Sequence, residues 1–228
     1  MLKEKKYIES YNLLQQDLKN RILLLDGAMG TMLQQENLTA EDFGGEKYEG
    51  CNDYLVLQRP EIIKNIHKQY LKAGSDIIET NTFGALDIVL KDYDLEDKVF
   101  EMNKTAAEIA RKAINEYKAE NPNETRNLYV AGALGPSNKS ISVTGGVTFE
   151  ELIHSYYTAV SGLLAGGVDL ILFETIQDTR NLKAAYLGLE KAMDENYYVP
   201  LMLSFTIEST GTTLAGQTAD AFYYAVHH

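Results

Sequence analysis

The chain has 228 residues, 45% of them hydrophobic and 24% charged, a globular composition that excludes disorder, collagen-like repeats and low-complexity sequence. It carries 33 acidic against 21 basic residues, a net charge of −12, and a surface that negative repels nucleic acid and anionic lipid. No apolar run nears the roughly 18 residues of a membrane-spanning helix, and a single cysteine, Cys51, excludes an internal disulfide and an all-cysteine zinc cage.

Met1 to Lys6 lead into polar sequence and not an apolar signal core, so a reducing cytoplasm is the expected compartment. Tyr7, Tyr11, Leu14 and Leu18 recur at helical spacing, predicting a helix that ends at Asn20. Ile22–Leu25 is a short apolar run closed by Asp26-Gly27, the pattern of a strand buried on both faces. A helix with Pro60 in its first turn and Gly74 at its end carries Ile62, Ile63, Ile66, Tyr70 and Leu71 on one stripe. Asp76–Thr80 then reads as a second strand. A long helix over about 96–118 breaks at Asn121-Pro122-Asn123, before a strand at Leu128–Ala131. Thr148-Phe-Glu-Glu151 has capping-box spacing and opens a helix that leads to a strand at Val168–Phe173. A helix of roughly 179–193, capped by Asp178, precedes a strand at Val199–Phe205. From Thr218 a further helix begins.

Strands alternating with helices predict βαβ crossovers and a parallel sheet. Two architectures compete. Five strands complete a doubly wound sheet, whereas a (β/α)8 barrel needs three more units. Polar residues close every predicted strand: Asp26, Glu79 to Thr82, Gly135 to Ser137, Glu174-Thr175, and Ser204 with Thr206. A barrel opens all strand ends onto one site, and a doubly wound sheet only those at its switch point. The barrel is therefore favoured, with residues 1–20 as an N-terminal helix and 21–228 as the first five units.

Asp26-Gly27-Ala28-Met29-Gly30-Thr31 follows the first strand but lacks the spacing of either common phosphate loop. Two readings stay open. One is an amino-acid cradle in which backbone N–H groups hold a carboxylate and Asp26 holds the ammonium. The other is a tight turn with glycine for backbone reasons. Glu174, at the end of an apolar strand, needs a partner, which is either a cationic ligand or a neighbouring basic side chain. Glu79, Thr80, Asn81 and Thr82 either orient a small polar substrate or hydrogen-bond a turn. Cys51, His67 and His154 match no zinc spacing, and the terminal His227-His228 pair is weak as a ligand set. The fifteen tyrosines are assigned to packing.

Arg21–Met32, Tyr48–Pro60, Ala73–Gly84, Ala131–Pro136 and Leu172–Thr175 together resemble the N-terminal domain of cobalamin-dependent methionine synthase, in order and in spacing. The resemblance implies a homocysteine-binding (β/α)8 TIM barrel and a homocysteine S-methyltransferase activity. It implies that Asp26, Gly27, Ala28, Met29, Gly30 and Thr31 hold the amino-acid end of L-homocysteine, with Glu174 helping to bind the ammonium and Thr175 among the substrate-binding residues. Glu79, Asn81, Thr82 and Gly135 would line the rest of the pocket. Zinc and methylcobalamin are implied for the complete enzyme, with zinc on three cysteines at the ends of later strands. Cys51 matches none of those positions, so no metal is expected on this chain. No Asp-x-His-x-x-Gly motif is present, which places the cobalamin- and folate-binding modules outside it.

A free thiol has a pKa near 8.5. Zinc would make it a thiolate able to take the methyl group carried on cobalt. This chain alone is therefore expected to be inactive; a non-catalytic remnant that binds small amino acids is the alternative. Bare barrel edges, with Leu23, Leu25, Leu201 and Leu203 or their alternates along each strand facing a half-open core, predict self-association.

Overall fold

In the computed structural model, which describes residues 6–227, four parallel strands lie side by side in chain order. They are β1 (Ile77–Glu79), β2 (Tyr129–Leu134), β3 (Leu170–Ile176) and β4 (Leu201–Phe205). Ile78 stands opposite Val130, Ala133 opposite Leu172, and Phe173 opposite Leu203. This order has no reversal, and a reversal is what defines a doubly wound sheet. The described strands therefore follow the sequential winding of the barrel reading, as an open sheet.

Nine helices accompany them among the described residues: α1 (Ser10–Asn20), α2 (Met29–Gln35), α3 (Leu55–Gln58), α4 (Pro60–Ala73), α5 (Asp87–Leu90), α6 (Val99–Glu120), α7 (Phe149–Ala165), α8 (Thr179–Glu195) and α9 (Ala219–Val226). Local chemistry explains their ends. Pro60 occupies the first turn of α4, and Gly74 ends it in the left-handed region at φ 114°, which suits a residue without Cβ. Thr148 and Glu151 form a reciprocal capping box on α7. Asp178 caps α8 by accepting the Arg180 N–H, and also accepts from Ser140 and Ser142 of the preceding loop.

The period-two alternation of strands separates two cores. Ile78, Val130, Leu134, Ile171 and Phe173 belong to the larger core, together with buried residues of α4, α6, α7 and α8. Ile77, Tyr129, Ala131, Leu170 and Leu172 form a smaller cluster with Leu14 of α1 on the opposite face. At the N-terminal ends of the strands, buried Asp76 pairs with Arg21 and Arg126, and buried Asp169 pairs with Arg111 and Ser10. None of the described helices is long and apolar enough to cross a membrane.

Two expectations need correction. Ile22–Leu25 is not a regular strand: it meets β1 through the Leu25–Ile77 bridge, the Leu24 carbonyl accepting the Asp76 and Ile77 N–H groups. With no strand among the described residues on its outer side, Ile22 stays 86% exposed and Leu24 55%. Second, α1 begins at Ser10, because Tyr7 instead bridges to Tyr198 beside the sheet. Of the two faces open to β4, Leu201 and Leu203 pack on the helix-side core, while Met202, the alternate, borders the inner cluster together with Leu23. His228 and residues 1–5 of the expected N-terminal segment lie outside the described residues.

Candidate active site at the strand ends

The C-terminal end of β1 brings the first two acids together. The Asp26 N–H donates to the Ile77 carbonyl at 3.0 Å, which sets the residue beside β1. Its carboxylate then accepts the Glu79 N–H at 3.0 Å through Oδ2, while Oδ1 is buried with no partner. Glu174 arrives from β3 at an irregularity, where the pairing with β4 shifts between Phe173 and Ile176. Thr175 takes φ +55° there, a costly conformation for a β-branched residue.

Asp26, Glu79 and Glu174 line one cavity of about 450 Å³. Burial lifts Asp26 to about 7, with the Glu174 charge adding to it. Burial also lifts Glu79 to about 8, reinforced by Asp26 and Glu174, and it raises Glu174. Among the described residues, no Lys or Arg lines this cavity. With Asp53, four carboxylates held above their ordinary range line this concave site, an arrangement chemically suited to an external cation.

Gly27, Ala28, Met29 and Gly30 form the adjacent wall, at the start of α2, where no side chain caps the backbone. Asn81 and Thr82 complete the β1 side. Thr82 donates its hydroxyl to the Ala133 carbonyl at 2.6 Å, and Thr80 accepts the Ala133 N–H at 3.0 Å. Both hydroxyls thus also serve the turn, as the second reading of this motif required.

Three anticipated residues do not line the cavity. Thr31 lies within α2 and is exposed. Thr175 neighbours Glu174 along the strand. The space in front of Gly135 is taken by the Phe83 ring.

Thr80, one of the residues read as orienting a substrate, also lines the cavity, and so do four residues not singled out for such a role: Gly50, Asn52, Asp53 and Phe83. Asp53 accepts the Gly84 N–H at 2.9 Å, and the Asn52 carbonyl accepts from Asn81 Nδ2 at 2.8 Å. Burial lifts Asp53 to about 6. The adjacent polar pair Asn52-Asp53 ahead of an apolar run was the available signal, but nothing local shows that it docks on the distant turn of Asn81 to Gly84.

The residues do not fit a zinc ion. Among the described residues no group of three or more His, Cys, Asp or Glu side chains is placed to hold a metal. Cys51 is buried, and burial pushes its thiol up to about 12, the wrong direction for a thiolate ligand. His67 is fully buried on α4 and pushed down to about 4. His154 belongs to a separate depression of about 510 Å³ with Lys91, Lys139, Glu150 and Glu151. Those side chains are exposed and of both signs, and no strand residue lines that depression.

Residues 23–228 match the family model described as homocysteine S-methyltransferase. Among solved structures, the oxidised form of the homocysteine methyltransferase MmuM from Escherichia coli superimposes with a TM-score of 0.76 at 25% identity, covering 94% of this chain and 72% of that one. Its metallated form also gives 0.76 at 25% identity, over 96% and 73% of the two chains. Its apo form gives 0.68 at the same identity, over 92% and 69%.

Proposed function

This chain belongs to the homocysteine S-methyltransferase family, and from that premise we propose that the cavity at the strand ends binds L-homocysteine as methyl acceptor. The observation that carries the reading is the trio Asp26, Glu79 and Glu174, which share one cavity that no basic side chain among the described residues lines. The ammonium group of the amino acid supplies the missing positive charge, and the unpartnered Asp26 Oδ1 supplies an acceptor for it. The turn Gly27–Gly30 offers backbone N–H groups to the carboxylate. Asn81 and Phe83 flank the space left for the side chain.

The product of the proposed transfer is methionine, with methylcobalamin as donor in the manner of methionine synthase. The residues here bind and orient the acceptor. They do not lower its thiol pKa, because the nearest charges are carboxylates, which favour the protonated form. Among the described residues no ligand set fits a metal. The shortage of a thiol-activating group favours a second reading, a site that binds small amino acids without catalysis.

Calorimetric titration with L-homocysteine tests the assignment. Glu174→Gln removes a charge-assisted partner, worth about 1.5–3 kcal/mol, so affinity should fall roughly tenfold to 150-fold. Unchanged affinity would overturn the role of Glu174.

A further inference from the structure

We infer that Phe83 is the specificity-determining wall of this site, the apolar surface against which the thiol-bearing side chain lies, and that Gly135 is the seat that holds it there. The inference rests on the homocysteine reading and adds to it a residue for the far end of the substrate.

Phe83 follows Thr82 at the end of β1 and lines the cavity, yet 46% of its surface is exposed. A half-exposed aromatic ring in a lining otherwise dominated by acids, amides and hydroxyls calls for an apolar partner. Met29 is the other large apolar side chain of the lining, and it sits in the turn assigned to the amino-acid end.

Gly135 fixes the ring from behind. A Cβ built there would lie 2.6 Å from Phe83 Cε2 and Cζ, closer than any real contact allows. Gly135 is not among the residues with positive φ, so its missing side chain makes room for the ring and does not serve an unusual backbone. Nor can the backbone retreat. The Gly135 N–H donates to the Phe83 carbonyl at 2.8 Å, and the buried Tyr156 hydroxyl donates to the Gly135 carbonyl at 3.0 Å. The end of β2 thus grips both the main chain and the ring of Phe83.

Such a wall distinguishes sulfur from oxygen. A thiol and its methylenes are apolar and polarizable and make favourable contacts with an aromatic ring, whereas a hydroxyl prefers water. The discriminating pair of probes is L-homocysteine and L-homoserine, titrated by calorimetry into the whole chain under reducing conditions. Phe83→Ala should weaken homocysteine binding roughly threefold to tenfold and leave homoserine nearly unchanged, so that the preference for sulfur collapses. A merely structural role would lower both affinities together.

Gly135→Ala should push the half-exposed ring into the cavity and weaken homocysteine binding by at least as much. In the double variant Phe83→Ala, Gly135→Ala there is no ring to displace, so it should bind like Phe83→Ala alone and keep the Gly135 arm readable if Gly135→Ala folds poorly. An unchanged sulfur preference in Phe83→Ala, or strictly additive losses in the double variant, would overturn the inference while leaving the homocysteine site standing. A parent chain that binds neither probe would overturn the homocysteine reading and this inference with it.

Discussion

Asp26, Glu79 and Glu174 are each raised by burial, which is the cost of holding acids in a cavity ahead of the ligand that relieves them. His67 is the opposite case. It is fully buried on α4 with no hydrogen-bond partner on either ring nitrogen, and burial lowers it to about 4. Between pH 6.5 and 4 the unfolded chain takes up a proton on this residue that the folded chain refuses, so stability is lost as pH falls through that window. The loss reaches about 2 kcal/mol by pH 5. His67→Leu should remove it: the stability gap between variant and parent, measured by denaturant unfolding, should widen in favour of the variant from pH 7 to pH 5. A gap that does not change with pH would show that His67 keeps an ordinary pKa in the fold.

At the scale of elements, local signals were legible and non-local ones were not. The α7 capping box, the Asp178 cap and the Pro60–Gly74 limits of α4 were readable because each is a contact within a few residues. The helix and strand order was readable because buried parallel strands are continuous apolar runs. Ile22–Leu25 has the same pattern, yet a strand also needs a ladder, and among the described residues only β1 pairs with it, through a single bridge. The face presented by β4 stays open in the sequence because every residue of its apolar run suits either side. At the site, the Asp26 to Gly30 turn and Glu174 were legible as polar residues closing apolar strands. The clamp of Asn52-Asp53 on the β1 turn joins residues about thirty positions apart. The contact of Phe83 with Gly135 joins two different strand ends. Neither leaves a local trace.

At the scale of the molecule, the sheet keeps β4 at one side and the 22–25 segment at the other. Near those margins Ile22 and Leu24 are exposed, as are Leu214, Tyr223 and Tyr224. A groove of about 480 Å³ between α8, β4 and α9 is lined by Phe149, Leu182, Leu187, Leu201, Leu203 and Val226, among others. Open strand edges and exposed apolar surface favour association, against which a net charge of −12 provides repulsion. Size-exclusion chromatography with light scattering should therefore show a species heavier than the 25.5 kDa chain, and high salt should increase it by screening the repulsion. A monodisperse monomer that melts cooperatively would show that the open margins are tolerated.

The central claim is that an acidic cavity at the strand ends takes the ammonium of an amino acid. Near pH 7 the free site still holds protons, with Asp26 at about 7 and Glu79 at about 8, and an arriving cation favours their charged forms. Titration of L-homocysteine at pH 7 in two buffers of different ionisation enthalpy measures this directly. The account predicts saturable binding whose enthalpy differs between the buffers by the amount expected for net proton release. Absence of binding, or binding with no proton exchanged, would contradict it.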